Sequence, residues 1–112
     1  DVYKRQAVMG TDRDPFYGAP CVIVVLADPG YPTWVEDGTL VLGNLLNAAH
    51  AVELGSCWIN RAREMFDTEE GKALLRQWGI PEHYRGIGCC ILGYADEAPA
   101  PKERAANRIW KI

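Results

Sequence analysis

The sequence predicts an α+β domain, a mixed α/β sandwich with a central sheet flanked by helices and incomplete at its N-terminus. Three observations predict it. Residues 20–28 (PCVIVVLAD) and 87–94 (IGCCILGY) are apolar runs of strand length, the first rich in β-branched residues. Between them lies a long helical pattern carrying no Asp, Glu, Lys or Arg from Gly38 to Val52. Elements then alternate as strand, helix, strand, helix, strand, which is the order of a layered α and β domain.

Each element has a local reason. Residues 1–19 form an irregular lead-in broken by Gly10, Pro15 and Gly18, with residues 14–18 reading as a turn; residues 20–112 form the domain. Residues 20–28 read as a strand buried on both faces, stopped by Pro29-Gly30. Residues 31–36 read as loop. Asp37 is the expected N-cap of the long helix, because its carboxylate can accept from free amides of the first turn. Val41, Leu45, Ala48 and Val52 share one stripe, and Gly43, Asn44, Asn47 and His50 lie opposite. A helix without charge on its outer side is expected to be buried nearly all round, in a large core or a subunit interface. Gly55 is the expected left-handed cap. Residues 56–59 read as a short strand, Asp67 and Glu70 as a capping box, and residues 69–78 as an amphipathic helix ending at Gly79. Residues 108–112 are a candidate final strand.

At 112 residues the chain is one small domain. Its 48% hydrophobic and 24% charged content is that of a globular protein. A net charge of −3 argues against a nucleic-acid or membrane-surface role, which calls for a basic patch. The longest apolar run, residues 21–27, is far too short for a bilayer, and no signal-peptide pattern opens the chain. Cys21, Cys57, Cys89 and Cys90 sit in apolar runs without a CxxC, so they read as free, buried thiols in a reducing cytoplasm.

Several chemistries find no support. His50 and His83 are too far apart in sequence for a metal pair and lack a carboxylate cluster, so no metal is expected. A lone helix histidine reads as packing. Neither a GxSxG nor a P-loop motif occurs, and Gly86-Ile87-Gly88 opens a strand instead of joining strand to helix. What remains is glycines, amides and cations around apolar strands, a setting that suits a flat conjugated cofactor. Lys102 and Arg104 would suit its phosphate, although such a pair in a tail is usually a solvated charge run.

Three stretches carry a resemblance: FYGAPCVIVVLAD (16–28), DGTLVLGNLLNAAHAVELGSCWINRAREMFDTEEGKALLRQWGI (37–80) and YRGIGCCILGYA (84–95). Together with the Lys-x-Arg tail they resemble, in order and spacing, the C-terminal part of FMN-dependent nitroreductases of the short single-domain type. The resemblance implies FMN as cofactor and NAD(P)H as donor in ping-pong redox, with a nitroaromatic, quinone or similar acceptor. It also implies a homodimer with flavin sites at the subunit interface, which explains the uncharged helix. Gly55, Ser56, Asn60 and Arg61 match the segment along the flavin ring, with the backbone of Asn60 and Arg61 at its N5 edge. Lys102 and Arg104 match phosphate contacts. No side chain is nominated as acid, base or nucleophile, because the cofactor carries the chemistry. One departure stands out: the family's N-terminal Arg-Arg-Ser-x-Arg motif is absent from residues 1–19. The chain therefore reads as a fragment or a naturally shortened relative. The alternative function is a truncated, non-catalytic relative that dimerises as a structural or regulatory protein.

Overall fold

The computed structural model describes residues 14–112. Six elements follow one another: β1 (Cys21–Ala27), α1 (Trp34–Ala51), β2 (Gly55–Ile59), α2 (Ala62–Met65), α3 (Glu69–Gln77) and β3 (Arg85–Gly93). The strands form one antiparallel sheet in the order β1-β3-β2. The last strand in sequence is thus the middle one in space. Five consecutive residues of β3, Gly86 to Cys90, are buried, as a strand paired on both edges and covered on both faces requires.

Two apolar layers pack against the sheet. Val25, Leu42, Ile87 and Cys90 form the layer under α1; Phe16, Ile59, Met65, Phe66, Leu75 and Cys89 form the layer under α2 and α3. Neighbouring Cys89 and Cys90 divide between the two layers because side chains alternate along a strand. A bulge opposite Val25 and Leu26 interrupts the alternation, and both Ile87 and Gly88 then face α1. Gly38 meets Ile87 there, where a Cβ would collide with the isoleucine side chain. Phe66, Leu42 and Leu75 are fully enclosed, each worth about 1.5–3 kcal/mol by transfer from water. Trp78 tilts against Phe66 at 5.9 Å between ring centroids.

The predicted turn at residues 14–18 is present. The Asp14 carboxylate accepts from the Phe16 and Gly18 backbone N–H groups at 3.1 and 2.7 Å, and Phe16 enters the core. The rest of the lead-in, residues 1–13, lies outside the described residues. Thr68 caps α3 with its Oγ1 accepting from Gly71 N at 3.1 Å, one residue after the expected Asp67. Asp67 is engaged elsewhere, by Arg85. Gly79, at φ +71°, ends α3 as expected, with Ile80 N donating to Leu75 O.

Other expectations need correction. The long helix begins at Trp34, not Asp37, so residues 34–36 are its first turn and no loop; Thr33 Oγ1 donates to the Asp37 carboxylate one turn on. Its left-handed cap is Glu53 at φ +62°, with Leu54 N reaching Ala49 O; Gly55 already belongs to β2. The buried stripe is Gly38, Leu42 and Ala49 with Leu45 and Leu46 beside it, while Leu40, Val41 and Val52 stand 73%, 51% and 66% exposed. Within this chain the helix is therefore covered on one side only. Likewise β1 is an edge strand of the sheet, exposed at Cys21, buried at Val25 and half-buried elsewhere. The turn of helix α2 had no sequence counterpart. Residues 94–112 are exposed and irregular, and the candidate strand at 108–112 does not form. Among the described residues, no helix is long and apolar enough to cross a membrane.

Candidate functional site

Strand β2 and its exit hold four of the six predicted site residues in one continuous segment, Gly55 and Ser56 at the start of the strand and Asn60 and Arg61 just past its end. Gly55 pairs with Gly93, and a Cβ at residue 55 would sit 3.3 Å from both Gly93 O and Ala95 Cα. Small residues are needed where these two strand ends meet. Ser56 and Cys57 are exposed on this edge, Ile59 is buried among Phe66 and Cys89, and half-buried Trp58 leans into the α1 layer. Gly88 makes that lean possible, because a Cβ there would come within 2.9 Å of Trp58 Nε1.

Asn60 and Arg61 follow, both exposed, where the chain turns from β2 into α2. Their carbonyls are spoken for: Asn60 O accepts from Arg63 N, and Arg61 O from Glu64 N and Met65 N, at 3.2–3.3 Å. Their N–H groups donate to no other described residue. Two adjacent backbone donors thus face outward beside an apolar strand edge, able to serve a ligand acceptor.

Lys102 and Arg104 lie in the exposed tail, and among the described residues they form no hydrogen bond or ion pair, with the β2 segment or otherwise. Arg104 lines a shallow hollow with Glu103, Asn107, Arg108 and Ile109, all from the tail itself. Gly55 and Ser56 thus lie at one end of β2 and Asn60 and Arg61 past the other, and among the described residues the two tail cations bond to neither pair.

A second hollow runs along the exposed side of α1, lined by Leu40, Val41, Gly43, Asn44, Asn47 and Trp58 among others. Its lining carries no charged side chain.

One group of side chains escaped sequence reasoning. Trp34, the first residue of α1, lies under two guanidinium groups, Arg63 at 5.5 Å and Arg85 at 5.2 Å from the ring centroid. Arg85 also grips Asp67 with both arms of its fork, Nε to Oδ1 at 3.0 Å and Nη2 to Oδ2 at 2.6 Å. That hydrogen bond holds the Asp67 carboxyl below its ordinary range, helped by the charges of Arg85, Lys72 and Arg63. The same bond raises Arg85. No local spacing signals such a group, since residues 34, 63, 67 and 85 are brought together only by the fold.

The cysteines divide. Cys89 and Cys90 are buried, as expected, but Cys21 and Cys57 are exposed, because β1 and β2 are the sheet's two outer strands. Burial, aided by neighbouring Cys90, pushes the Cys89 thiol up to about 12. Burial also raises Cys90, with Cys21 and Cys57 contributing. Neither buried thiol is suited to act as a nucleophile near neutral pH. Among the described residues, no three His, Cys, Asp or Glu side chains converge as a metal site.

Comparison with known proteins bears on this geometry. A sequence model described as the Nitroreductase family matches residues 3–97. A proposed NADH dehydrogenase/NAD(P)H nitroreductase of Methanothermobacter thermautotrophicus is 34% identical over 91 residues, covering 76% of this chain and 45% of the relative. A protein of the same description from Archaeoglobus fulgidus is 37% identical over 100 residues, covering 84% of this chain and 55% of its own length. The chain thus spans about half the length of the curated relatives it matches. Among solved structures, a Bacteroides fragilis nitroreductase with bound FMN superposes at a TM-score of 0.86 and 24% identity, over 98% of this chain and 68% of that one. An FMN-bound nitroreductase of Desulfitobacterium hafniense gives 0.77 at 24% identity, over 100% of this chain and 61% of that one. At that identity the likeness establishes the fold: an α+β sheet with helices on both faces.

Proposed function

We propose that this chain, which belongs to the nitroreductase family, contributes one wall of an FMN site in an oxidoreductase that passes electrons from NAD(P)H to a nitroaromatic, quinone or similar acceptor. The observation that carries the reading is the pair of unused N–H groups on Asn60 and Arg61, at the segment that resembles the family's flavin-ring edge. These donors fit a heteroaromatic acceptor, and the glycine pair Gly55 and Gly93 keeps side chains off the opposite end of β2. Exposed Ser56 adds a hydroxyl beside that glycine pair. Among the described residues Lys102 and Arg104 have no hydrogen-bond or ion-pair partner to give up, and they would hold the phosphate, Arg104 by its planar fork. When bound, FMN supplies the two-electron chemistry that couples donor to acceptor. The chain's own groups bind and orient: amides at the ring edge, cations at the phosphate, and apolar strand around them.

The assembly proposed is a homodimer. The uncharged, exposed side of α1 is a surface that loses little on leaving water, since neither Asn44 nor Asn47 carries a charge to desolvate. Four free cysteines, two of them exposed, suit a reducing cytoplasm.

Titration with FMN, followed by quenching of flavin fluorescence, tests the reading. Saturable binding is expected, and Arg104→Ala should weaken it by about 1–3 kcal/mol, the range of a charge-assisted hydrogen bond. Unchanged affinity in the variant would remove Arg104 from the site. Dimerisation without any flavin binding would favour the non-catalytic alternative.

A further inference from the structure

The Arg61 donor sits on a structure that cannot orient itself. Helix α2 has four residues, a single turn, and one turn alone is too short to be stable in water. Its direction is set by what holds its two ends. Met65 and the adjacent Phe66 anchor the C-terminal end in the core. Near the other end, Arg63 is exposed, and its guanidinium lies over Trp34. Trp34 is half-buried at the start of α1 and also lies under Arg85. Arg85 begins β3 and is fixed in turn by the bidentate bond to Asp67, in the link between α2 and α3. One indole therefore ties α1, α2 and β3 at the point where the chain leaves β2. Asn60 O accepts from Arg63 N, so a rotation of α2 turns the Asn60–Arg61 peptide, whose N–H is that of Arg61, with it.

We propose that Arg63 and Trp34 are positioning residues that fix the direction of the Arg61 N–H group, and through it the affinity and reduction potential of the bound flavin. This rests on the flavin reading above. A donor aimed at a ring heteroatom stabilises the oxidised and reduced forms unequally, so its direction alters potential as well as binding.

The test is carried out on the full chain, first without flavin. Amide NMR spectra are compared for the unsubstituted protein and for Arg63→Met, Arg63→Lys and Trp34→Leu, with Arg76→Met as a distant surface control. Arg63→Met and Trp34→Leu should both move the Arg61 amide resonance while those of Cys89 and Cys90 in the sheet centre stay in place. Arg63→Lys keeps a cation for the indole and should return it towards its original position, and Arg76→Met should leave it unmoved. FMN affinity should fall about two- to fivefold in Arg63→Met, the range of an exposed cation–π contact, with a shifted reduction potential that a general loss of stability would not produce. An Arg61 resonance that stays in place in both Arg63→Met and Trp34→Leu would overturn the proposal. An unsubstituted chain that binds no FMN would overturn the functional reading and the flavin half of this proposal, and the amide shifts would still decide whether Arg63 and Trp34 orient the turn.

Discussion

Gly71→Ala is the substitution for which local and tertiary reasoning disagree in sign. Gly71 lies in the first turn of α3, and alanine there gains about 1 kcal/mol of intrinsic helix propensity. The fold opposes it. A Cβ at residue 71 would sit 2.8 Å from Met65 C and Phe66 Cα, and closer still to Met65 O, where ordinary contact begins at 3.4 Å. These are backbone atoms at the end of α2, so no side-chain rotation relieves the overlap of at least 0.6 Å (3.4 − 2.8). Overpacking of a well-filled site costs about 1–3 kcal/mol and occasionally more, and the rigid neighbour puts this case at the upper end. The net expectation is a loss of about 1–2 kcal/mol, each kcal/mol lowering Tm by roughly 4–8 °C in a domain of this size. Urea unfolding followed by far-UV circular dichroism measures it. Ala73→Gly, an exposed change in the same helix, calibrates the propensity and should cost about 1 kcal/mol. A Gly71→Ala midpoint at or above that of the unsubstituted chain would refute the claim that α2 and α3 meet through this glycine.

Other consequences follow from the same structure. Because Asp67 has its pKa lowered from 3.8 by Arg85, its contribution is complete above the unfolded value and is lost as pH falls through the folded one. Both side chains are more than a third exposed, so the effect is below about 1 kcal/mol, and Asp67→Asn should flatten the acid side of a stability–pH curve by that amount. Alkylation of the folded chain should modify Cys21 and Cys57 quickly and leave Cys89 and Cys90 protected until unfolding; mass spectrometry after timed quenching reads this, and four equal rates would contradict the layered sheet. Asn47→Lys puts a charge on the exposed apolar side of α1, and sedimentation should show a dimer converted to monomer, whereas a stable dimer would place the interface elsewhere.

The fold was readable where a local rule had no competitor. The apolar run at residues 87–94 became the central strand, Gly79 capped α3, and the Asp14 turn formed as its residues dictate. Reading failed where a long-range partner intervened. Asp67 looks like a helix cap until Arg85 takes its carboxylate and Thr68 supplies the cap instead. Residues 34–36 look like loop because Pro32 precedes them, yet Trp34 is held at the start of α1 by contacts to residues 63 and 85. The absence of charge in α1 correctly marked an unusual surface, but composition could not say which side the chain itself covers. Of the candidate site, only the placing of Gly55, Ser56, Asn60 and Arg61 on one segment along β2 was legible, because they are close in sequence. The position of Lys102 and Arg104 relative to it was not, since an exposed tail has no packing rule to place it.

The central claim is that the β2 exit and the tail cations hold a flavin. The most direct measurement is a visible absorption spectrum of the purified 112-residue chain after incubation with FMN and desalting. Retained flavin absorbance, bleached on addition of NADH or NADPH under anaerobic conditions, is the predicted result. A colourless, folded protein would contradict it.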